Sequence, residues 1–239
     1  MKKVRWGILS TGRITHQFAH DFQWVENGEL VAVASRKQAT AETFANQYGI
    51  PKAFGDYHAM LDDPDVDAVY IATPHTLHYQ NTLDAVAAGK HVLCEKPFVI
   101  NPEESQKLFS QVSNSGTFIM EAMWTWFLPA IRKALEWVEQ GRIGPLRQIK
   151  ADFGYPQLPY SPDLRVYNAK LAGGCLLEMG IYPVALTRLF TKSDPATIQT
   201  TAHKAPNGVE DEVTMVFTHG GDSDVTATLG TSFRSKLQN

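Results

Sequence analysis

The sequence predicts a doubly wound parallel α/β domain followed by an α+β domain with an open, largely antiparallel sheet. Three observations carry this. In the first half, continuous apolar runs such as "LVAVAS" and "AVYIAT" alternate with helical segments, and strands apolar on both faces belong in a parallel sheet covered by helices on both sides. In the second half, the runs "RQIKADFGY", "TIQTTAHKA", "DEVTMVFTH" and "DVTATLGTSF" alternate instead, as strands buried on one face do. The pattern changes near residue 122, which divides the chain into 1–122 and 123–239.

The elements follow in order. Val4–Leu9 is a strand, after which Ile14, Phe18 and Phe22 recur at helical spacing. Residues 29–35 form a buried strand, and "ATAETFANQYG" a helix stopped at Gly49. Residues 68–73 form a third strand, "TLHYQNTLDAVAAG" a helix ending at Gly89, and "HVLCEKP" a further strand. In "NPEESQKLFSQVSNSG", Asn101 is the N-cap, Pro102 takes the first helical position, and two glutamates meet the helix dipole in the first turn. "TFIMEA" closes the parallel series. Residues 129–141 make one amphipathic helix, and Asn207-Gly208 and Gly220-Gly221 mark turns between the last strands. The sequence stops at Asn239 shortly after a strand, leaving a sheet with an exposed edge and a poorly covered face. That predicts a truncated chain or a partner on the sheet.

The bulk properties exclude several classes. The chain has 239 residues, 44% hydrophobic and 20% charged, with net charge -3, as expected of a soluble globular protein with a sizeable core. No basic run suits a nucleic acid. The two cysteines, Cys94 and Cys175, lie in apolar surroundings without metal-ligand spacing, and read as buried thiols in a reducing compartment. No Cys/His cluster suggests a metal. No signal peptide and no stretch near membrane-spanning length are recognised, so a cytoplasmic location without a membrane partner is expected. His16, His20, His58, His203 and His219 show no pattern and read as ordinary surface or helix residues.

"GILSTGRIT" runs from the first strand into a small-residue turn and a helix. In a βαβ unit such a loop points backbone N–H groups at a pyrophosphate, aided by the helix N-terminus. The G-x-G-x-x-G template falls on Ser10, Gly12 and Thr15, so only Gly12 is glycine. Ser10, Thr11, Gly12, Arg13 and Ile14 are therefore candidate cofactor contacts, although a plain strand–turn–helix explains the loop equally well. The second strand ends in Ser35, Arg36 and Lys37, with no acid before Glu42. A carboxylate there accepts the ribose hydroxyls of NAD, whereas a guanidinium suits the 2′-phosphate of NADP. NADP is expected, NAD remaining possible; the alternative is a solvated loop.

"WGILSTGRI", "IATPHTLH", "HVLCEKP", "MEAMWTWFLPA" and "AGGCLLEMGIY" occur in the order seen in the glucose–fructose oxidoreductase / inositol dehydrogenase (Gfo/Idh/MocA) family. The chain resembles that family from about Val4 to its end, and within it the dimeric dihydrodiol dehydrogenase group, which shares the serine in the loop. The resemblance implies an N-terminal Rossmann domain and a C-terminal α+β domain whose open sheet often forms a dimer interface. It also implies truncation, because members usually continue with further strands and a closing helix.

Alone, a lysine at a strand end reads as a surface charge; the resemblance makes Lys96, in the Glu95-Lys96-Pro97 motif, catalytic and cofactor-binding. The Lys96–Pro97 bond is a candidate cis peptide. Thr73, Pro74 and His78 lie at another strand end, where ligands sit in open parallel sheets. Glu178 and Tyr182, four apart, share one side of a helix and on their own read as an ordinary helix face. The resemblance puts an acid at Glu178, where aspartate is usual, and a His or Tyr at Tyr182. The extra methylene changes the reach of Glu178 by ~1.5 Å. Tyr182 is expected to act as general acid/base. A free phenol titrates near ~10, and a cation beside it, Lys96, would favour the phenolate. Gly180 lets something approach closely. Trp124 and Phe127 are candidate walls of a substrate pocket, or packing; relatives tend to carry arginine where this chain has Trp126. Arg165 matches a family arginine and is a candidate substrate contact.

The expected activity is thus NADP-dependent hydride transfer with a small-molecule sugar, polyol or cyclic diol, by a homodimer or higher homo-oligomer formed through the C-terminal sheet. The alternative is a non-catalytic nucleotide-binding sensor of the same fold.

Overall fold

The unalternated apolar runs become adjacent parallel strands. In the computed structural model, which describes residues 3–220 and 224–238, β1 (Val4–Leu9), β2 (Gly28–Ala34), β3 (Lys52–Phe54), β4 (Ala68–Ile71), β5 (His91–Cys94) and β6 (Ile119–Glu121) form one sheet ordered β3-β2-β1-β4-β5-β6. Pairing is parallel throughout. The order reverses at β1, which neighbours β2 on one side and β4 on the other. Such a switch point opens a crevice beyond the carboxyl ends of the strands. The chain divides into two units, Met1–Ala122 and Met123–Asn239.

Helices α1 (Arg13–Asp21), α2 (Gln38–Tyr48), α3 (Tyr57–Leu61), α4 (His75–Ala87) and α5 (Pro102–Val112) accompany the strands. Successive strand residues feed two different cores. Leu9, Ala32, Ala34, Val69, Ile71 and Val92 join Leu108 and Val112 in one, while Ile8, Val33, Tyr70 and Ala72 join Ala19 and Phe44 in the other. Both faces being covered, alternation disappears from the sequence. Gly49, at φ +67°, ends α2 in the left-handed conformation that favours glycine. Asn101 caps α5 as expected, its side chain accepting the Glu104 N–H at 2.8 Å.

The apolar stripe of α1 departs from expectation. Phe18 stacks on Tyr70 with ring centroids 3.8 Å apart, and Phe22, in a 3₁₀ turn after the helix, meets Trp6 edge-on. Ile14 is exposed. At the opposite end of the strands, the Asp63 carboxylate accepts from the Lys52 amine at 2.8 Å, and the buried Lys90 amine donates to the Asp63 and Val66 carbonyls.

The second unit contains α6 (Pro129–Glu139), β7 (Gln148–Gly154), α7 (Ile181–Thr191), β8 (Thr197–Lys204), β9 (Glu210–His219) and β10 (Val225–Ser232). Its sheet has the order β7-β10-β9-β8; β9 is antiparallel to both neighbours and β10 is parallel to β7. One face packs Val213, Met215, Phe217, Ala227 and Leu229 against Cys175 and Met179. β9 alternates as predicted, but β8 is exposed along its whole length, because α7 covers β7 and β10 and leaves the edge strand with β9 alone.

Two expectations need correction, and the turn calls are met in one case only. His219 is buried rather than superficial: it takes an inward position on β9, its ring bonding the Ser193 hydroxyl at 3.1 Å. Gly208, at φ +86°, makes the expected turn by donating to the Ala205 carbonyl, but Gly221 lies outside the described residues. One stretch, Ala169–Thr191, does reach the length and hydropathy of a membrane span by composition. It is interrupted by Ala172 at φ +54° and Gly174 at φ +137°, and it packs Met179, Gly180, Pro183 and Thr187 inside the unit.

Candidate active site

In the first unit, Ser10 stands at φ +107°, a conformation open to glycine and costly, about 1–3 kcal/mol, for other residues. Its hydroxyl oxygen accepts the Gly12 N–H at 3.1 Å and its own N–H bonds Ala34 of β2. The loop therefore keeps a glycine-type backbone and adds a side-chain brace. Gly12 is the N-cap of α1; a Cβ there would come no closer than 3.4 Å to any neighbour, that neighbour being the Ser10 hydroxyl. Arg13 and Ile14 lie exposed in the first turn of α1, which contains no acid. Thr15 is buried and donates to the Gly12 carbonyl at 2.6 Å, so the last template position closes the turn from inside.

The end of β2 is tied to the same loop by a Thr11–Ser35 hydroxyl contact of 3.5 Å. Arg36 and Lys37 are exposed there. The N-terminus of α2 has no capping side chain and no acid in its first turn, which leaves its partial positive charge available to an anion. Burial pushes the Tyr57 phenol up, and the charge of Arg36 draws it part of the way back. An open cleft of 310 Å³ is lined by Thr11, His16, Ala39, Thr40, Thr43, Phe44 and Gln47.

At the carboxyl ends of β4 to β6, Thr73 donates to Asn81 Oδ1 at 2.9 Å. The Lys96–Pro97 peptide is cis. Tyr70 donates its hydroxyl hydrogen to Glu95 Oε1 at 2.5 Å. Pro74 caps α4. His78 is fully buried, with Nδ1 2.7 Å from the Pro97 carbonyl and Nε2 2.8 Å from the Thr73 carbonyl. Carbonyls only accept, and a neutral ring can donate to just one of them. His78 thus sits fully buried between two strand-end turns and, when neutral, donates to one of them.

In the second unit, Tyr182 sits in the first turn of α7, its oxygen accepting the Trp124 Nε1–H at 3.2 Å and its ring packed on Phe153. The stretch before α7, Leu176–Gly180, is a π-helical turn, a local widening common at functional sites. It carries Glu178, whose Oε1 accepts from Arg165 Nη2 at 2.7 Å. The predicted acid and the predicted arginine thus meet each other. Trp124, Trp126 and Phe127 are exposed on a 3₁₀ turn, Trp124–Phe127. The glycines of "AGG" are sterically demanded: a Cβ on Gly174 would lie 2.0 Å from Glu210 Oε1. The close neighbours anticipated at Gly180 are Leu176 of the same turn and Thr231 of β10, whose Cδ1 and Cγ2 lie 2.9 Å and 3.2 Å from where a Cβ would stand.

Burial pushes the Cys175 thiol up to about 12 and the Cys94 thiol well above its ordinary range, so both stay neutral. Among the described residues no group of three or more His, Cys, Asp or Glu could hold a metal. Sequence reasoning missed Tyr70, Asn81 and Glu121. Glu121 ends β6 and accepts the Phe98 N–H at 2.8 Å. Its position at the carboxyl edge of the sheet was the available signal.

Residues 4–122 match the family described as "Oxidoreductase family, NAD-binding Rossmann fold", and residues 131–239 match "GFO/IDH/MocA C-terminal domain". The chain is 38% identical over 239 residues to trans-1,2-dihydrobenzene-1,2-diol dehydrogenase of Mus musculus, spanning 99% of this chain and 70% of that one. Its fold is similar to an aldose-aldose oxidoreductase from Caulobacter crescentus complexed with glycerol, with TM-score 0.90 and 27% identity over 98% of this chain and 72% of that chain. It is also similar to a 3-ketoreductase from Actinomadura kijaniata in complex with NADP and TDP-benzene, with TM-score 0.86 and 28% identity over 100% of this chain and 72% of that chain.

Proposed function

Because the chain belongs to the GFO/IDH/MocA oxidoreductase family, we propose that it transfers hydride between NADP and a carbon bearing a hydroxyl or carbonyl on a sugar, polyol or cyclic trans-diol. The observation that carries the NADP assignment is the end of β2: Arg36 without a carboxylate, beside an uncapped helix N-terminus. The diol and sugar classes are those named for the relatives.

The residues present fit a dinucleotide. Gly12 leaves its backbone open to approach, and Ser10 holds the turn that aims the first N–H groups of α1 outward. Thr11, Arg13, Ile14 and Ser35 border this loop; Thr73, Pro74, Glu95 and Lys96 form the opposite rim of the strand ends. When bound, the nicotinamide supplies the hydride chemistry. The protein's part is to position the substrate and move a proton. Tyr182 exchanges that proton with the substrate oxygen. Its oxygen already accepts from Trp124, so its own hydrogen is not spent in that bond. Lys96 is the second catalytic group of this reading, its ammonium stabilising charge as it develops on the substrate. Arg165, steadied by Glu178, contacts substrate hydroxyls, and Trp124 and Phe127 flank them.

We assign the working oligomer as a dimer formed through the second unit's sheet, on the support of its exposed β8 and uncovered face. The buried, disulfide-free thiols support a reducing, cytoplasmic setting.

The test is titration with NADPH and NADH by energy transfer from tryptophan, followed by turnover of trans-1,2-dihydrobenzene-1,2-diol and of aldoses. Lys96→Met is expected to abolish turnover and leave NADPH binding within about threefold, since an interaction confined to the transition state is lost. Full activity of that variant refutes the mechanism. NADPH binding without turnover of any such substrate by the unaltered chain converts the assignment to a nucleotide sensor.

A further inference from the structure

Trp124, on the 3₁₀ turn of the second unit, and Tyr182, in the first turn of α7, are 58 residues apart in sequence, yet the indole Nε1 lies 3.2 Å from the phenol oxygen. Chemistry fixes the direction of this bond. An indole nitrogen only donates, so the phenol oxygen accepts. The two rings meet edge-on with centroids 6.0 Å apart, and Phe153 of β7 packs on the Tyr182 ring at 4.8 Å. Tyr182 is thus held both by its ring and by its oxygen.

A pocket wall needs only an aromatic face, which Phe127 supplies in the same turn. Trp124 is half exposed, so water is available to its N–H. The N–H is aimed instead at the oxygen that has a proton to exchange. A donor bonded to a phenol oxygen favours the form that carries the negative charge.

The main elements packed against α7 are the 3₁₀ turn, the π-helical turn, β7 and β10, of which the first and the last contain no charged residue. Glu178, in the π-helical turn, is paired with Arg165 at 2.7 Å. Lys150 and Asp152 of β7 alternate away from the face that presents Phe153, and Tyr155 meets Phe153 edge-on. Arg188, farther along α7, pairs with Asp194 at 3.1 Å. All of these groups, like Lys96, are common to the chains compared below.

We propose that Trp124 is a positioning residue for Tyr182: its indole N–H holds the phenol oxygen in place and stabilises the phenolate left when the proton moves to substrate. The inference rests on the reading of Tyr182 as the proton-transferring group, but its first test needs no turnover.

The measurement is fluorine NMR of the full chain carrying 3-fluorotyrosine at position 182 alone, titrated between about pH 6 and 10, the ring fluorine bringing the phenol's ionisation below its ordinary ~10. Trp124→Phe keeps an aromatic ring and removes the donor. Benzothienylalanine at position 124 removes the donor while keeping the outline of the indole, and decides alone if Trp124→Phe does not fold. At a given pH below the midpoint, the phenolate fraction is expected to be about three- to tenfold smaller in both than with Trp124, the low end for a bond to a charged group because Trp124 is half exposed. Equal fractions, within about twofold, overturn the proposal. A fraction that falls with phenylalanine but not with benzothienylalanine also overturns it, because packing and not the N–H is then responsible. In turnover, kcat should fall by a similar factor with KM within about threefold. An unchanged kcat despite the smaller phenolate fraction removes Tyr182 from the proton transfer and leaves the hold by Trp124 standing, so the two failures are separable.

Discussion

Replacing Arg36 by alanine tests the cofactor assignment most directly. The Ser35 N–H bonds the Phe54 carbonyl at 3.0 Å, which fixes the end of β2 and with it the start of the Arg36 side chain. The guanidinium is exposed, and the first turn of α2 contributes no carboxylate to compete with it. A charge-assisted bond to a phosphate contributes about 1.5–3 kcal/mol, and at an exposed position screening brings this to about 1–2 kcal/mol. The expected loss in NADPH affinity is therefore roughly 5- to 30-fold. NADH lacks the 2′-phosphate, so its affinity should change by less than about twofold. Fluorescence titration of both nucleotides, at low salt and at about 0.5 M, reads both numbers, and the advantage of the unaltered chain for NADPH should shrink at high salt. Equal weakening of NADPH and NADH, or no weakening of either, would refute the reasoning about the end of β2.

Two further outcomes concern the scaffold. Gly174→Ala adds a Cβ 2.0 Å from the Glu210 carboxylate at φ +137°; backbone strain and overpacking together cost about 3 kcal/mol, or roughly 6–12 °C in Tm, and a loss below about 1 kcal/mol in urea melts would show that Glu210 simply swings aside. Burial pushes the Asp63 carboxyl up, but Lys52, the Asp65 N–H and Lys90 outweigh it and hold the group below its ordinary 3.8. Its contribution to stability is thus present above pH 3.8 and is lost as pH falls through the lower folded value. Asp63→Asn should lower Tm at pH 7, with the gap closing on acidification; a gap constant with pH would rule out the Lys52 pairing as its source.

The parallel strands, the helix stops at Gly49 and Gly89, and the Asn101 cap were all legible in the sequence, because each is written in local spacing and in the conformational limits of single residues. β3 and α3 were not, since three and five residues are too short for a period to register. The exposure of Ile14 shows the limit of a stripe at helical spacing, for the face of α1 that packs inward carries Thr15, Phe18 and Ala19 and leaves Ile14 outside. The exposure of β8 is of the same kind, because alternation predicts a face without saying what covers it.

By itself the sequence determined the two-part architecture, the glycine-poor nucleotide loop, and the residue types at each strand end. Tertiary structure alone decided what those side chains do to one another. Arg165 and Glu178 are paired, Trp124 donates to Tyr182, Glu121 holds Phe98, and His78 lies between two turns. These partners are 13, 58, 23 and, for His78 with Pro97, 19 residues apart, beyond any helical or strand period. The physical reason is that periodicity records only which face of its own element a residue occupies, whereas a hydrogen bond depends on where packing brings a second element's atoms to within about 3 Å.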